Sequence, residues 1–87
     1  MTSAQVSRLE QAVQELVDRR LKEAQKPFRL RVAGSVQDAE WLYIIVEPDR
    51  AGVHSEGYID VARWVEGELA KGNPDDNVLL VPARPQD

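Results

Sequence analysis

Trp41-Leu42-Tyr43-Ile44-Ile45-Val46 is the longest apolar run in the chain. Its residues are aromatic, β-branched or aliphatic, the types that suit a pleated, packed strand. Six residues fall far short of the roughly 20 needed to span a bilayer. Successive side chains of a strand point to opposite faces. One row is therefore Leu42, Ile44 and Val46, and the other is Trp41, Tyr43 and Ile45. Both rows are apolar, so this strand asks for cover on two sides.

Just upstream, Phe28, Leu30 and Val32 alternate with Arg29, Arg31 and Ala33. Period two predicts a strand with one buried face. Gly34 to Glu40 is polar apart from Val36 and Ala39 and reads as a turn, which makes the two strands a hairpin. Pro48 ends the second strand, because proline has no N–H for a ladder. Further upstream, Val6, Leu9, Val13, Leu16, Val17, Leu21 and Ala24 recur at three- and four-residue steps. That spacing predicts an amphipathic helix over 4–25, capped by Ser3 and stopped by Pro27.

Downstream, Asp49 to His54 reads as a loop. Ser55 is the expected cap of a second helix running to about Lys71, with a stripe of Tyr58, Val61, Ala62, Val65 and Leu69. Ile59 and Trp64 flank that stripe on opposite sides. Gly72-Asn73-Pro74 is a stop signal. Val78 to Val81 reads as a short third strand closed by Pro82, and 83–87 as a fraying tail. The order is α-β-β-α-β. A strand-helix-strand connection makes the second and third strands parallel. The expected fold is a single two-layer α+β domain over 1–87, with an ordered core of about 4–82. Two helices lie on one face of a three-stranded mixed sheet.

Composition narrows the function. Eighty-seven residues without a cysteine exclude a disulfide scaffold, a zinc-thiolate site and a thiol nucleophile. The N-terminus shows no basic and apolar signal-peptide pattern, and the expectation is a cytoplasmic protein. The net charge of −4 is unevenly spread. Arg19, Arg20, Lys22, Lys26, Arg29 and Arg31 form a basic zone, and acidic residues dominate the following forty.

One layer of helices covers one face of a sheet. If Leu42, Ile44 and Val46 face the helices, Trp41, Tyr43 and Ile45 face outward beside Arg29 and Arg31; the opposite phase exposes an aliphatic row. The uncovered apolar surface points to a protein partner or a homodimer. The bland alternative is a central strand whose second face is only partly exposed, shielded by the arms of Arg29 and Arg31. A second reading is an RNA- or ribosome-associated module. There, the rings of Trp41 and Tyr43 stack bases while Arg29 and Arg31 hold phosphates, within a basic zone over 19–31 whose patch is Arg19, Arg20, Lys22 and Lys26. A third is small-anion binding by Arg50, Gly52, His54 and Ser55 at the start of the second helix.

Catalysis is not expected. His54, Ser55, Glu56 and Asp60 carry donor and acceptor types, but sequence neighbours seldom reach the geometry of a nucleophile, base and orienting group. One histidine and no cysteine argue against a transition-metal site. Asn73 to Asn77 lacks the spacing of a calcium loop. No cofactor is expected.

From Val6 to Val81 the pattern resembles the N-terminal α/β domain of the bacterial ribosome maturation factor RimP. The likeness runs through the helix Val6 to Ala24, the strands Phe28 to Val32 and Leu42 to Val46, and the loop Asp49-Arg50-Ala51-Gly52. It continues through the helix Tyr58 to Val65 and the strand Val78 to Val81 leading into Pro82. The resemblance implies a ribosome- or RNA-associated role. KH-type RNA-binding modules share a related layout, although their Gly-X-X-Gly clamp is absent here.

Overall fold

The structure is a computed structural model, and it describes residues 2–72 and 77–83. Its elements are α1 (Ser3–Glu23), β1 (Leu30–Asp38), β2 (Trp41–Pro48), a 3-10 turn (Ser55–Gly57), α2 (Ile59–Gly72) and β3 (Asn77–Pro82). The sheet order is β1-β2-β3, antiparallel between β1 and β2 and parallel between β2 and β3. The α-β-β-α-β order and the mixed three-stranded sheet match the expectation from sequence.

The cap of α1 is Thr2 rather than Ser3. Thr2 Oγ1 accepts from the Gln5 N–H at 3.2 Å, and Gln5 Oε1 accepts from the Thr2 N–H at 2.8 Å. This reciprocal box satisfies two backbone donors, whereas a serine cap one residue later would place Val6 at the third helical position, with no side chain to answer. The helix also ends earlier than Pro27 alone requires. Gln25 adopts a left-handed φ of 54°, and the Lys26 N–H donates to Leu21 O at 3.0 Å. The Gln25 N–H donates to Lys22 O at 3.1 Å. This is a Schellman closure. Ala24, expected in the apolar stripe, is the exposed cap residue.

The stretch expected to be a turn, Gly34–Glu40, is mostly strand. β1 runs to Asp38, which pairs with Trp41, leaving only Ala39 and Glu40 at the hairpin tip. A bulge between Val32 and Gly34 explains the misreading. The extra residue moves the side-chain alternation by one step. Leu30 and Val32 face the helices, and beyond the bulge Ser35 and Gln37 take that side, opposite Ile44 and Leu42. Val36 and Asp38 then face outward. The tip gives little warning either, because Ala39 takes the positive φ of 55° usually reserved for Gly or Asn.

The second helix is displaced too. Ser55 opens the 3-10 turn and does not cap α2, which starts four residues later at Ile59. The expected stripe is nonetheless buried: Tyr58, Val61, Ala62, Val65 and Leu69. The third strand is longer than Val78–Val81, running from Asn77 through Pro82, with the Ala83 N–H donating to Val46 O at 2.8 Å. The expected stop at Asn73-Pro74 and the tail beyond Ala83 lie outside the described residues.

The core lies between the helices and one face of the sheet. Leu9, Val13, Val17 and Leu21 of α1 and the α2 stripe close over Leu30, Leu42, Ile44, Val46 and Leu80. Phe28 and Tyr58 seal one end edge to face, with centroids 6.2 Å apart. No helix among the described residues is long and apolar enough to cross a membrane.

Candidate interaction face

The phase of β2 is unambiguous. Leu42 and Ile44 are 0% exposed and Val46 is 1% exposed, all against the helices. Trp41, Tyr43 and Ile45 stand on the opposite face. The pairing register places Val36 beside Tyr43 on that face and, across the parallel ladder, Leu79 beside Tyr43 and Val81 beside Ile45. Val36 is 53% exposed, Trp41 39% and Val81 36%, while Tyr43, Ile45 and Leu79 are half-buried. The result is a continuous apolar surface across all three strands. Neither helix lies on it.

Arg31 sits on this face as expected but at its end, opposite Glu47, to which it donates a charge-assisted hydrogen bond. Trp41 lies at the other end of β2, so the Arg31 arm does not shelter it. Arg29 is exposed beside this end. Its backbone N–H donates to Asp49 Oδ1 at 3.1 Å, and the Arg50 Nε donates to the same oxygen at 3.2 Å. The Arg29 N–H foremost, then the Arg50 side chain, hold the Asp49 carboxyl below its ordinary 3.8.

The edges of the sheet are treated differently from its face. Leu30 and Val32 direct their backbone groups away from β2. The Gln14 side chain of α1 meets both: its Nε2 donates to Leu30 O at 2.9 Å, and its Oε1 accepts from the Val32 N–H at 2.9 Å. Its remaining N–H donates to Asp18 Oδ1 at 3.0 Å. One amide thus imitates a neighbouring strand. On the far edge, Glu66 Oε2 accepts from the Leu80 N–H at 2.8 Å, and Arg63 holds the same carboxylate at 2.8 and 3.0 Å. Free strand edges invite further strands, and side chains that occupy them discourage it. A helix side chain therefore occupies part of each edge, and among the described residues the apolar face is left open.

Part of the basic zone is engaged within the chain. Arg19 and Arg20 stack over the Trp64 ring, each 5.3 Å from its centroid, and both approach Glu23. Lys26 pairs with Asp60 at 3.6 Å and ties the end of α1 to the start of α2. Lys22, Lys26 and Arg29 do meet around a shallow hollow of about 560 Å³, floored by Leu21 and Phe28 and bordered by Asp18. That hollow lies at the C-terminal, electronegative end of α1, where cations are favourable for the helix itself.

The anion group does not stand at the start of α2, which begins at Ile59. Arg50 is engaged with Asp49, Gly52 sits in its loop at φ +87°, and His54 and Ser55 enter the 3-10 turn. The first turn of α2 carries its own carboxylate, Asp60. Among the described residues there is no cluster of three or more His, Cys, Asp or Glu able to hold a metal ion.

Sequence reasoning missed Val36, Leu79 and Val81 on the face, and Gln14 and Glu66 on the edges. The parallel pairing expected for strand three would have placed Leu79 and Val81 once the phase of β2 was known. Val36 was hidden by the bulge. Nothing local marks Gln14 or Glu66, whose partners lie 16, 18 and 14 residues away.

Comparison with protein-family models, with curated proteins and with solved structures finds no match. Fold and surface together define a two-layer α+β domain with blocked sheet edges and one open apolar sheet face.

Proposed function

We propose that this chain is a non-catalytic interaction domain that buries its open sheet face against a protein surface, a second copy of itself foremost. The observation that carries this reading is the two-sided apolarity of β2: the helices cover Leu42, Ile44 and Val46, and among the described residues no element lies over Trp41, Tyr43 and Ile45. A contiguous apolar patch with a charged rim is the usual mark of an association surface. The blocked edges support association through the face rather than through strand addition.

A dilution series followed by sedimentation and by ¹H–¹⁵N spectra tests it. Mass should exceed one chain as concentration rises, with shifts concentrated at Val36, Trp41, Tyr43, Ile45, Leu79 and Val81. Tyr43→Glu should return a folded monomer. A concentration-independent monomer with an unchanging spectrum would remove self-association.

The RNA- or ribosome-associated reading has one specific support, the hollow bounded by Lys22, Lys26 and Arg29. Against it weigh the engagement of Arg19, Arg20, Lys26 and Arg31 within the chain and the net charge of −4. It predicts binding to ribosomal RNA that weakens steeply with salt as counterions are released. Absence of binding at low salt rules it out.

A further inference from the structure

We infer that the second copy packs face to face with its strands reversed, so that the hairpin tip of each protomer lies over the base of the other's sheet and Trp41 packs into the space left by the absent side chain of the partner's Gly34. This rests on the self-association reading above and specifies its geometry.

The first argument is charge. Among the described residues, the tip of the β1–β2 hairpin carries Asp38 and Glu40 and no cation. The opposite end of the same face carries Arg29, Arg31 and Arg50 against Glu47 and Asp49, one net positive charge. The face therefore has an acidic end and a basic end. Two identical faces can meet about a two-fold axis along the strands or across them. The first superimposes tip on tip and gathers four carboxylates. The second sets each acidic tip over a basic base, twice. Opposed charges across an interface fix its register and reject the alternative.

The second argument is shape. With the axis across β2 at Tyr43, Trp41 of one chain lies over Ile45 of the other. The β1 residue paired with Ile45 is Gly34. A Cβ built on Gly34 would meet no atom within 4 Å. The face thus carries an exposed indole at the start of β2 and a missing side chain beside Ile45, each two residues along the strand from Tyr43. Reversal brings the two together. Gly34 has no positive φ, so the backbone does not require glycine there.

The size of the face sets the affinity class. Strands rise about 3.3 Å per residue and lie about 4.8 Å apart, so the apolar face measures roughly 20 by 15 Å. With side-chain relief it buries on the order of 500 Å² per protomer, at the lower limit for a specific interface of about 1,000–1,200 Å² in total. A reversible dimer in the micromolar range is expected, rather than an obligate one.

The test uses the full chain with Arg31→Glu and Asp38→Arg, each alone and mixed one to one, read by sedimentation equilibrium and native mass spectrometry. With the axis at Tyr43, Arg31 of one chain lies opposite the tip of the other, two residues along from Asp38 and level with Glu40. In either variant alone, both approaches of position 31 to the partner's position 38 become like-charged, and the dimer dissociation constant should rise roughly tenfold. A mixed dimer sets the introduced carboxylate at position 31 against the introduced guanidinium at position 38, and the native Arg31 of one chain against the native Asp38 of the other. Mixed dimers should therefore exceed the statistical half. If Asp38→Arg disturbs the turn, Glu40→Arg carries the same charge change from the tip. Gly34→Val should keep the far-ultraviolet spectrum and unfolding midpoint while weakening the dimer at least tenfold. A dimeric wild type whose two charge variants mix without preference, or a Gly34→Val dimer as tight as wild type, overturns this geometry and leaves face-mediated association standing. A wild-type chain that stays monomeric at millimolar concentration overturns both.

Discussion

Removing the Gln14 side chain isolates the device that ties α1 to the edge of β1. In Gln14→Ala, Leu30 O and Val32 N each lose a partner at 2.9 Å, in a half-buried setting, and Asp18 loses a third. A protein hydrogen bond contributes a net 1 ± 0.5 kcal/mol or so, and more is lost when a buried backbone group is left unpaired. The Asp18 bond is exposed and contributes little. The two backbone bonds together give an expected loss of about 2 kcal/mol, partly offset by the slightly better helix propensity of alanine. In a domain of this size that corresponds to a fall of roughly 8–16 °C in the unfolding midpoint. Urea titration with tryptophan fluorescence and circular dichroism measures it. Gln11→Ala, on the exposed side of the same helix, should change stability by no more than about 0.5 kcal/mol. Gln14→Glu should lose most of the same stability, because a carboxylate cannot donate to Leu30 O. If Gln14→Ala is as stable as wild type while Gln11→Ala is equally silent, the edge bonds contribute nothing and the argument for blocked edges falls.

Other outcomes follow from the same geometry. Ile44→Ala removes a fully buried side chain from the middle of β2 and should cost about 2–5 kcal/mol by chemical denaturation. Trp64→Ala withdraws the ring beneath Arg19 and Arg20 and part of the core contact, so it should destabilise by about 2–4 kcal/mol; Arg19→Ala alone should cost under about 1 kcal/mol. Asp49 titrates below its ordinary value when folded, so the folded state binds that proton more weakly than the unfolded chain. Its contribution is complete only well above the ordinary 3.8 and is lost as pH falls through the lowered value, and Asp49→Asn should flatten that part of the acid-unfolding curve. Gly52 occupies φ +87° in open space, so Gly52→Ala should cost about 1 kcal/mol through backbone strain alone, seen as a shifted midpoint with an unchanged denaturant slope.

Much of the fold was legible in the residues because it follows from short-range periodicity. The three- and four-residue spacing from Val6 to Leu21, the stripe from Tyr58 to Leu69 and the alternation of Phe28, Leu30 and Val32 each marked an element with its buried side. The two-sided apolarity of residues 41–46 already implied a central strand and a face in need of cover. What failed was boundary chemistry. Thr2 rather than Ser3 caps α1 because Gln5 can answer it. A single extra residue near Ala33 inverted the pattern of the next five and disguised strand as loop.

Element types and order, then, come from the local sequence, because propensity and alternation act over a few residues and survive any arrangement of the whole. The phase of β2, the joining of Val36, Leu79 and Val81 into one surface with Trp41 and Tyr43, and the sealing of both edges by Gln14 and Glu66 arise only once distant segments meet. Those contacts span 14 residues or more, and no local pattern encodes a hydrogen bond between a helix side chain and a strand it has yet to encounter. The open face is the remainder of that packing: the surface two helices leave behind after covering one side of three strands.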